Sequence, residues 1–280
     1  MRIITDTCSQ LSPNQAKAIG VDAVAMQIVL NDASYKEFIE MDADQLLEKI
    51  IVDHIVPKSS QPTPYDIKAI FESLDANEKA LAITICDGLS GTYQTFQSMK
   101  MTADEPSNIY VWDSKTIAGP QQYLVRYAKQ LASEAKDMDE IIELLEEKTK
   151  TSYSYLIPTD FNYLARGGRC SPLTAKLGGL LNLKVCVMLN RETRKLDKFA
   201  TSRTYKALLK KIIEDLKSRI DLSHAQHFFI AHANNEVGAF EVEDALKIAF
   251  PESNIDIIPL CPTCIVQGGP GCIAVQVIEE

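Results

Sequence analysis

Three short polar stretches gather hydroxyl groups beside apolar runs: Ser59-Ser60-Gln61-Pro62-Thr63, Asp87-Gly88-Leu89-Ser90-Gly91-Thr92-Tyr93 and Asp113-Ser114-Lys115. Serine and threonine at such junctions supply O–H donors, and a turn that opens a helix adds unpaired backbone N–H groups, so the combination suits an anion such as a carboxylate or phosphate. The same residues also cap helices with no ligand present, so one stretch alone carries little weight. Three together, placed where a parallel sheet puts the carboxyl ends of its strands, point to a shared anion site. A fourth stretch, Gln267-Gly268-Gly269-Pro270-Gly271, sets three glycines and a proline before the last apolar run, a turn that can bring backbone close to a bound group. No GxxxxGK[ST] loop and no GxSxG elbow occurs.

Cys261-Pro262-Thr263-Cys264 could be a redox dithiol or half of a zinc site. A redox pair wants its first thiol at a helix N-terminus, whereas this segment reads as leading straight into the glycine turn. Zinc wants a second pair, and only Cys272 lies near. Buried structural thiols are therefore expected. His54, His224, His227 and His232 lack metal-ligand spacing, and His227 and His232 fall on opposite faces of an expected strand. The sequence thus implies no metal, no cofactor and no catalytic residue. One enzymatic alternative stands beside this, a small-substrate hydrolase or transferase with Ser90 or Cys264 as nucleophile, and it needs a base that only folding could bring in.

Composition narrows the classes further. Hydrophobic residues make up 46% and charged residues 24% of the 280, the balance of a globular chain that buries its own core. The formal charge of −9 is spread without a lysine or arginine cluster, which excludes a nucleic-acid partner held by phosphate contacts. The apolar run before Thr5 and Asp6 is too short for an export signal and no stretch reaches membrane-span length, so a cytoplasmic protein with no membrane insertion is expected. Seven scattered cysteines then read as reduced thiols.

The elements that must carry these stretches alternate strand and helix. Ser12-Pro13 and Gly20 frame a short helix; Ile67, Ile70, Phe71 and Leu74 mark an amphipathic helix behind Pro64; ALAITI (80–85) and NIYVW (108–112) read as buried strands; Asp137 with Glu140 opens another helix. The run AVAMQIVL (23–30) reads as one apolar segment. After residue 152 come YLIP, a helix carrying FNYLARGG, a helix from Pro172 to Gly179, a hairpin about Arg191-Glu192-Thr193-Arg194, a helix from about Arg203 to Arg219, and strands QHFFIAHA, NIDIIPL and CIAVQVI with a helix at 235–249. The expected fold class is α/β with two domains: residues 1–152, an N-terminal parallel sheet with flanking helices, and residues 153–280, a C-terminal mixed sheet with helices, with a ligand cleft between them.

In order along the chain, IITD, SSQPTP, LSGTYQT, VWDS, YLARGGRCSPLTAKLGGLLNLK, SRT and GGPG resemble the DegV family of bacterial fatty-acid-binding proteins, which includes the B subunits of fatty acid kinase. The resemblance implies a two-domain fold that holds one long-chain fatty acid, its carboxylate at the interdomain cleft and its acyl chain inside the C-terminal domain. It implies a ligand-binding set of Ser59, Ser60, Ser90, Gly91, Thr92, Gln267, Gly268 and Gly269, with Ser59 and Ser90 on the carboxylate and the glycine turn closing over it. Arg169 and Arg203 would be contacts for a separate fatty acid kinase catalytic subunit, and the chain itself would be a carrier rather than an enzyme. Where the family commonly shows HTGPG in the last turn, this chain has Gln267, which can donate through its amide but cannot become a cation.

Overall fold

The computed structural model describes residues 1–171, 174 and 183–280; the helix expected from Pro172 to Gly179 falls almost wholly outside the described residues. The chain runs β1 (Arg2–Asp6), α1 (Pro13–Ala18), β2 (Val21–Val24), β3 (Gln27–Leu30), β4 (Ala33–Lys36), α2 (Ala43–Ile51), β5 (Lys58–Ser60), α3 (Pro64–Glu72), β6 (Ala80–Thr84), α4 (Thr92–Lys100), β7 (Ile109–Asp113), α5 (Gly119–Ser133) and α6 (Met138–Thr149). It continues through β8 (Tyr153–Ile157), α7 (Phe161–Gly167), β9 (Lys184–Leu189), β10 (Leu196–Ser202), α8 (Tyr205–Arg219), β11 (Gln226–His232), α9 (Glu236–Ala249), β12 (Asn254–Pro259), α10 (Pro262–Gly268) and β13 (Ile273–Glu279).

Strands β2-β1-β6-β7 form an all-parallel sheet, and β6 is buried along its whole length, as a strand covered by helices on both faces must be. Strands β10-β9-β8-β13-β11-β12 form a mixed sheet in which only β11 and β12 run parallel. Helix starts follow local chemistry. Ser12 and Gln15 make a reciprocal capping box on α1, and Asp137 accepts from the Glu140 N–H to open α6.

Three expectations are corrected. Residues 23–30 are two strands in different sheets, because the buried Thr7 hydroxyl accepts the Met26 N–H and turns the chain between them. Ser59 and Ser60 lie in β5, an edge strand paired antiparallel with β3 in a three-stranded sheet β4-β3-β5, and not in a turn after a parallel strand. Lys-Ser-Ser carries no apolar residue, so only its ladder partners, Ser59 opposite Ile28 and Ser60 opposite Gln27, reveal it as a strand. Cys261 caps the N-terminus of α10, where the sequence predicts only the glycine turn; Pro262 at the first position and Gly268 at the last bound a helix of only seven residues, too short for periodicity to expose.

The two sheets share one packed seam. Phe229 of β11 and Ile278 of β13 belong to the same buried cluster as Leu124, Val125 and Ala128 of α5 and Leu81 and Ile83 of β6. Gln276 of β13, 2% exposed, accepts from the Gly119 N–H (3.0 Å) and donates to the Ile117 carbonyl (2.9 Å) and the Ser154 hydroxyl (2.8 Å). On the far side, the turn between β9 and β10 lies over Gly88, where a Cβ would stand 2.1 Å from the Arg194 carbonyl oxygen; only glycine admits this approach. The Arg194 guanidinium then bonds Asp87 (2.8 Å) and Asp113 (2.5 Å) at the ends of two parallel-sheet strands.

Gln276→Leu keeps the volume but strands a buried N–H, a carbonyl and a hydroxyl, so it is expected to cost about 2–4 kcal/mol, read as a lowered urea midpoint with unchanged slope.

Candidate functional site

Between the sheets lies a cavity of about 810 Å³ of atom-free space, its open mouth included. Both halves of the chain wall it. Met26, Ile85, Leu89, Ile117 and Ala118 come from the first, and Tyr155, Leu156, Leu189, Leu196, Leu260 and Ala274 from the second. Leu156 sits in the middle of the mixed sheet yet is only half-buried, because its side chain borders this space.

Apart from the buried Ser154 and Gln276, the polar groups of the wall gather at one end. Ser59 and Ser60 come from β5, Ser90 precedes α4, and Thr263, Cys264 and Gln267 come from α10. Ser60 is exposed and Ser59, Ser90, Arg169 and Gln267 are half-buried, so this end meets solvent, while Ala118, Tyr155 and Gln276 are buried. The Gln267 amide donates to Ser59 Oγ at 3.0 Å, which leaves the Ser59 hydroxyl hydrogen free to point elsewhere. Ser90 Oγ and Thr92 Oγ1 are 2.8 Å apart, and Thr92 Oγ1 also donates to Met26 Sδ at 3.7 Å. Arg169 is the one charged side chain among the described residues of the wall. Backbone carbonyls hold it, Leu89 O at 3.1 Å from Nε and Gly167 O at 2.5 Å from Nη1, which places the cation beside Ser90 without neutralising it.

The residues singled out from sequence thus divide. Ser59, Ser60, Ser90, Gln267 and Arg169 converge on the cavity. Thr92 is fully buried and supports Ser90 from behind, and Gly91 is exposed at the start of α4. Gly268 ends α10, and Gly269, at φ +79°, packs its backbone against the Tyr163 ring, so the glycine turn shapes the helix end that carries Gln267 rather than lining the space. Arg203 is exposed ahead of α8 and is absent from the wall. Of the three polar stretches, Asp113-Ser114-Lys115 stays outside the cavity: Asp113 faces Arg194, and Lys115 Nζ pairs with Glu146 at 2.5 Å.

Cys86, Asp87 and Asp113 come close enough to share a metal, but Arg194 already places its positive charge on both carboxylates. Burial, with the Asp113 charge adding to it, pushes the Cys86 thiol up to about 12, so this group is not a ready thiolate ligand. Among the described residues no histidine lines the cavity. His232 accepts the Asn235 N–H through Nδ1, and His227 lies between Asp256 and Glu280. Among the described residues, Ser90 therefore has no imidazole or carboxylate partner to activate it.

Sequence reasoning missed two contributors, Gln276 and Arg194. A lone glutamine inside IAVQVI was a usable signal, since a buried amide must find partners.

A family model described as "Uncharacterised protein, DegV family" matches residues 1–280. A DegV domain-containing protein of Clostridium acetobutylicum is 27% identical over 284 residues, spanning 99% of this chain and 98% of the relative. Among solved structures, DegV of Bacillus subtilis, described as a fatty acid binding protein, superposes with a TM-score of 0.87 at 24% identity, covering 100% of this chain and 99% of its own. A DegV family protein of Thermus thermophilus, whose structure is described in terms of fatty acid binding, reaches a TM-score of 0.89 at 22% identity with both chains fully covered. With a whole-length family match and the same α/β architecture, the chain belongs to the DegV family.

Proposed function

We propose that this chain binds a long-chain fatty acid in the cavity between its sheets, with the carboxyl group at the serine end and the acyl tail along the apolar walls. The carrying observation is the polarity gradient of one cavity: hydroxyls and a single arginine at the solvent end and mainly aliphatic side chains beyond, with Ser154 and Gln276 the buried polar exceptions. That the two structurally similar proteins are described by fatty acid binding supports the reading. Burying a sixteen-carbon tail at ~0.8 kcal/mol per methylene offers on the order of 10 kcal/mol, whereas a hydrogen bond to a charged carboxylate is worth about 1.5 to 3. The tail sets affinity and the head sets orientation.

At the head, the Ser59 and Ser90 hydroxyls donate to the carboxylate, and Thr92 can turn its hydrogen from the weak Met26 sulfur acceptor to Ser90 as Ser90 engages. Arg169 supplies the compensating charge that a glutamine at 267 cannot. The carrier needs no nucleophile; its further task, in this reading, is to present the carboxyl group to a separate fatty acid kinase, with exposed Arg203 on the docking face.

Three outcomes are expected. Organic extraction of the purified chain followed by mass spectrometry recovers a long-chain fatty acid, and Ala274→Phe, which fills the space beside β13, abolishes that recovery while leaving the unfolding midpoint near wild type. Ser90→Ala weakens fatty-acid affinity by about tenfold or more in a direct binding titration, as loss of one charge-assisted hydrogen bond requires. Gln267→His tightens binding of ionised fatty acid near neutral pH, and unchanged affinity would show that residue 267 does not sense the carboxylate.

A further inference from the structure

Behind the serine end, two distant segments bring three thiols together. Cys8, two residues past the end of β1, meets Cys261, the residue that caps the N-terminus of α10, and Cys264 in the first turn of that helix. The Gln10 amide nitrogen reaches both sulfurs of the pair, Cys261 Sγ at 3.3 Å and Cys264 Sγ at 3.6 Å, while its oxygen accepts the Cys261 N–H at 2.6 Å. Cys8 and Cys261 are fully buried, but Cys264 is 8% exposed and its side chain borders the cavity. One thiol of the cluster is thus open to a molecule inside the cavity, with a second held behind it.

We propose that Cys264 is an oxidisable site in the cavity wall that reduces a hydroperoxide, with Cys261 as the resolving thiol. The Cys264 thiolate attacks the terminal peroxide oxygen; the O–O bond breaks, Cys264 becomes a sulfenic acid, and the departing alkoxide takes up a proton to leave as an alcohol, or as water when the oxidant is hydrogen peroxide. The Cys261 thiol then attacks the Cys264 sulfur, forming the disulfide and expelling water. One hydroperoxide and two thiols give one alcohol, one disulfide and one water, with two electrons passing from sulfur to oxygen.

Local electrostatics favour this assignment of roles. Hydrogen bonds from the Cys261 and Cys8 thiols hold the Cys264 thiol below its ordinary range, against the opposing effects of burial and of Glu37, whereas Cys261 lies well above it, chiefly through burial. An attacking thiol of low pKa at an accessible position is the arrangement peroxide chemistry selects. Cys272, Cys186 and Cys170 are buried with thiols pushed upward and serve as internal controls. The site needs access through the cavity, whatever fills it, and lipid enters only through competition for the same space.

The test uses the full reduced chain, stripped of lipid, with cumene hydroperoxide and hydrogen peroxide as separate oxidants. Intact-mass analysis is expected to show loss of two hydrogens, and peptide mapping a Cys261–Cys264 bridge. Cys261→Ser is expected to accumulate a sulfenic acid at Cys264 that dimedone traps, and trapping on the folded wild-type chain during early turnover gives the same residue if that variant does not fold. Oxidation of Cys264 no faster than Cys272 and Cys186, or a bridge to Cys8 in place of Cys261, would overturn the assignment. Saturating long-chain fatty acid, with occupancy verified independently by native mass spectrometry, is expected to slow Cys264 oxidation by about tenfold, as loss of access demands. An unchanged rate in a verifiably loaded chain would overturn the placement of Cys264 on the cavity, whereas failure to load at all would count against the fatty-acid reading and leave the peroxide result to stand on the empty chain.

Discussion

The fold turns on a buried amide. Gln276 sits in the middle of β13, the central strand of the mixed sheet, and its side chain ties that strand to the loop that leads from the parallel sheet into α5. Both halves of the molecule meet there, and the same side chain forms part of the cavity wall. Two apolar sheet faces gain dispersion contacts by closing on each other. Collapse would pull Gln276 away from the Gly119 N–H and the Ile117 carbonyl, and groups without water or partners cost more than the contacts regained. The polar staple therefore sets the distance between the sheets.

Arg194 does the same work at the other edge with charge. Its guanidinium bridges Asp87 and Asp113, which belong to successive strand ends of the parallel sheet, while its backbone rests on Gly88. Each carboxylate alone would repel the other across a half-buried site; the arginine makes their proximity favourable and fixes the β9–β10 turn beside Leu89 and Ser90. The position of Ser90 is thus a consequence of an ion pair on its N-terminal side, of Thr92 behind it and of Arg169 fastened to the neighbouring Leu89 carbonyl.

How much of this was legible depended on whether a residue's role is local. Helix starts at Ser12, Pro64 and Asp137 were readable because capping is satisfied within one turn, and most strands of the two larger sheets, though not β2, were readable from apolar runs bounded by turns. β5 was not, since Lys58-Ser59-Ser60 becomes a strand only through its ladder with β3. The convergence of Ser59, Ser90 and Gln267 followed from motif order, but Arg194 and Gln276 act across more than a hundred residues of sequence, and nothing near them in the chain names their partners. The short helix after Cys261 fell between these cases: proline at its first position is a local signal, but the glycines that follow read as a turn and hide the helix.

That short helix decides the character of the head-group end. Had 261–268 been an irregular turn, as the glycines suggest, Cys264 and Gln267 would have no reason to lie together; as α10 they are three residues apart and border one space. Gln267 meets Ser59 while Cys261, the cap at the other end of the helix, meets Gln10 from the opposite half of the chain. The helix therefore couples two polar systems, the hydroxyls that would hold a carboxyl group and the thiols packed behind them. A change in the bonding of Cys264 is passed toward Gln267 through one helical turn, because the buried Cys261 N–H that anchors the start of α10 cannot leave Gln10 without going unpaired.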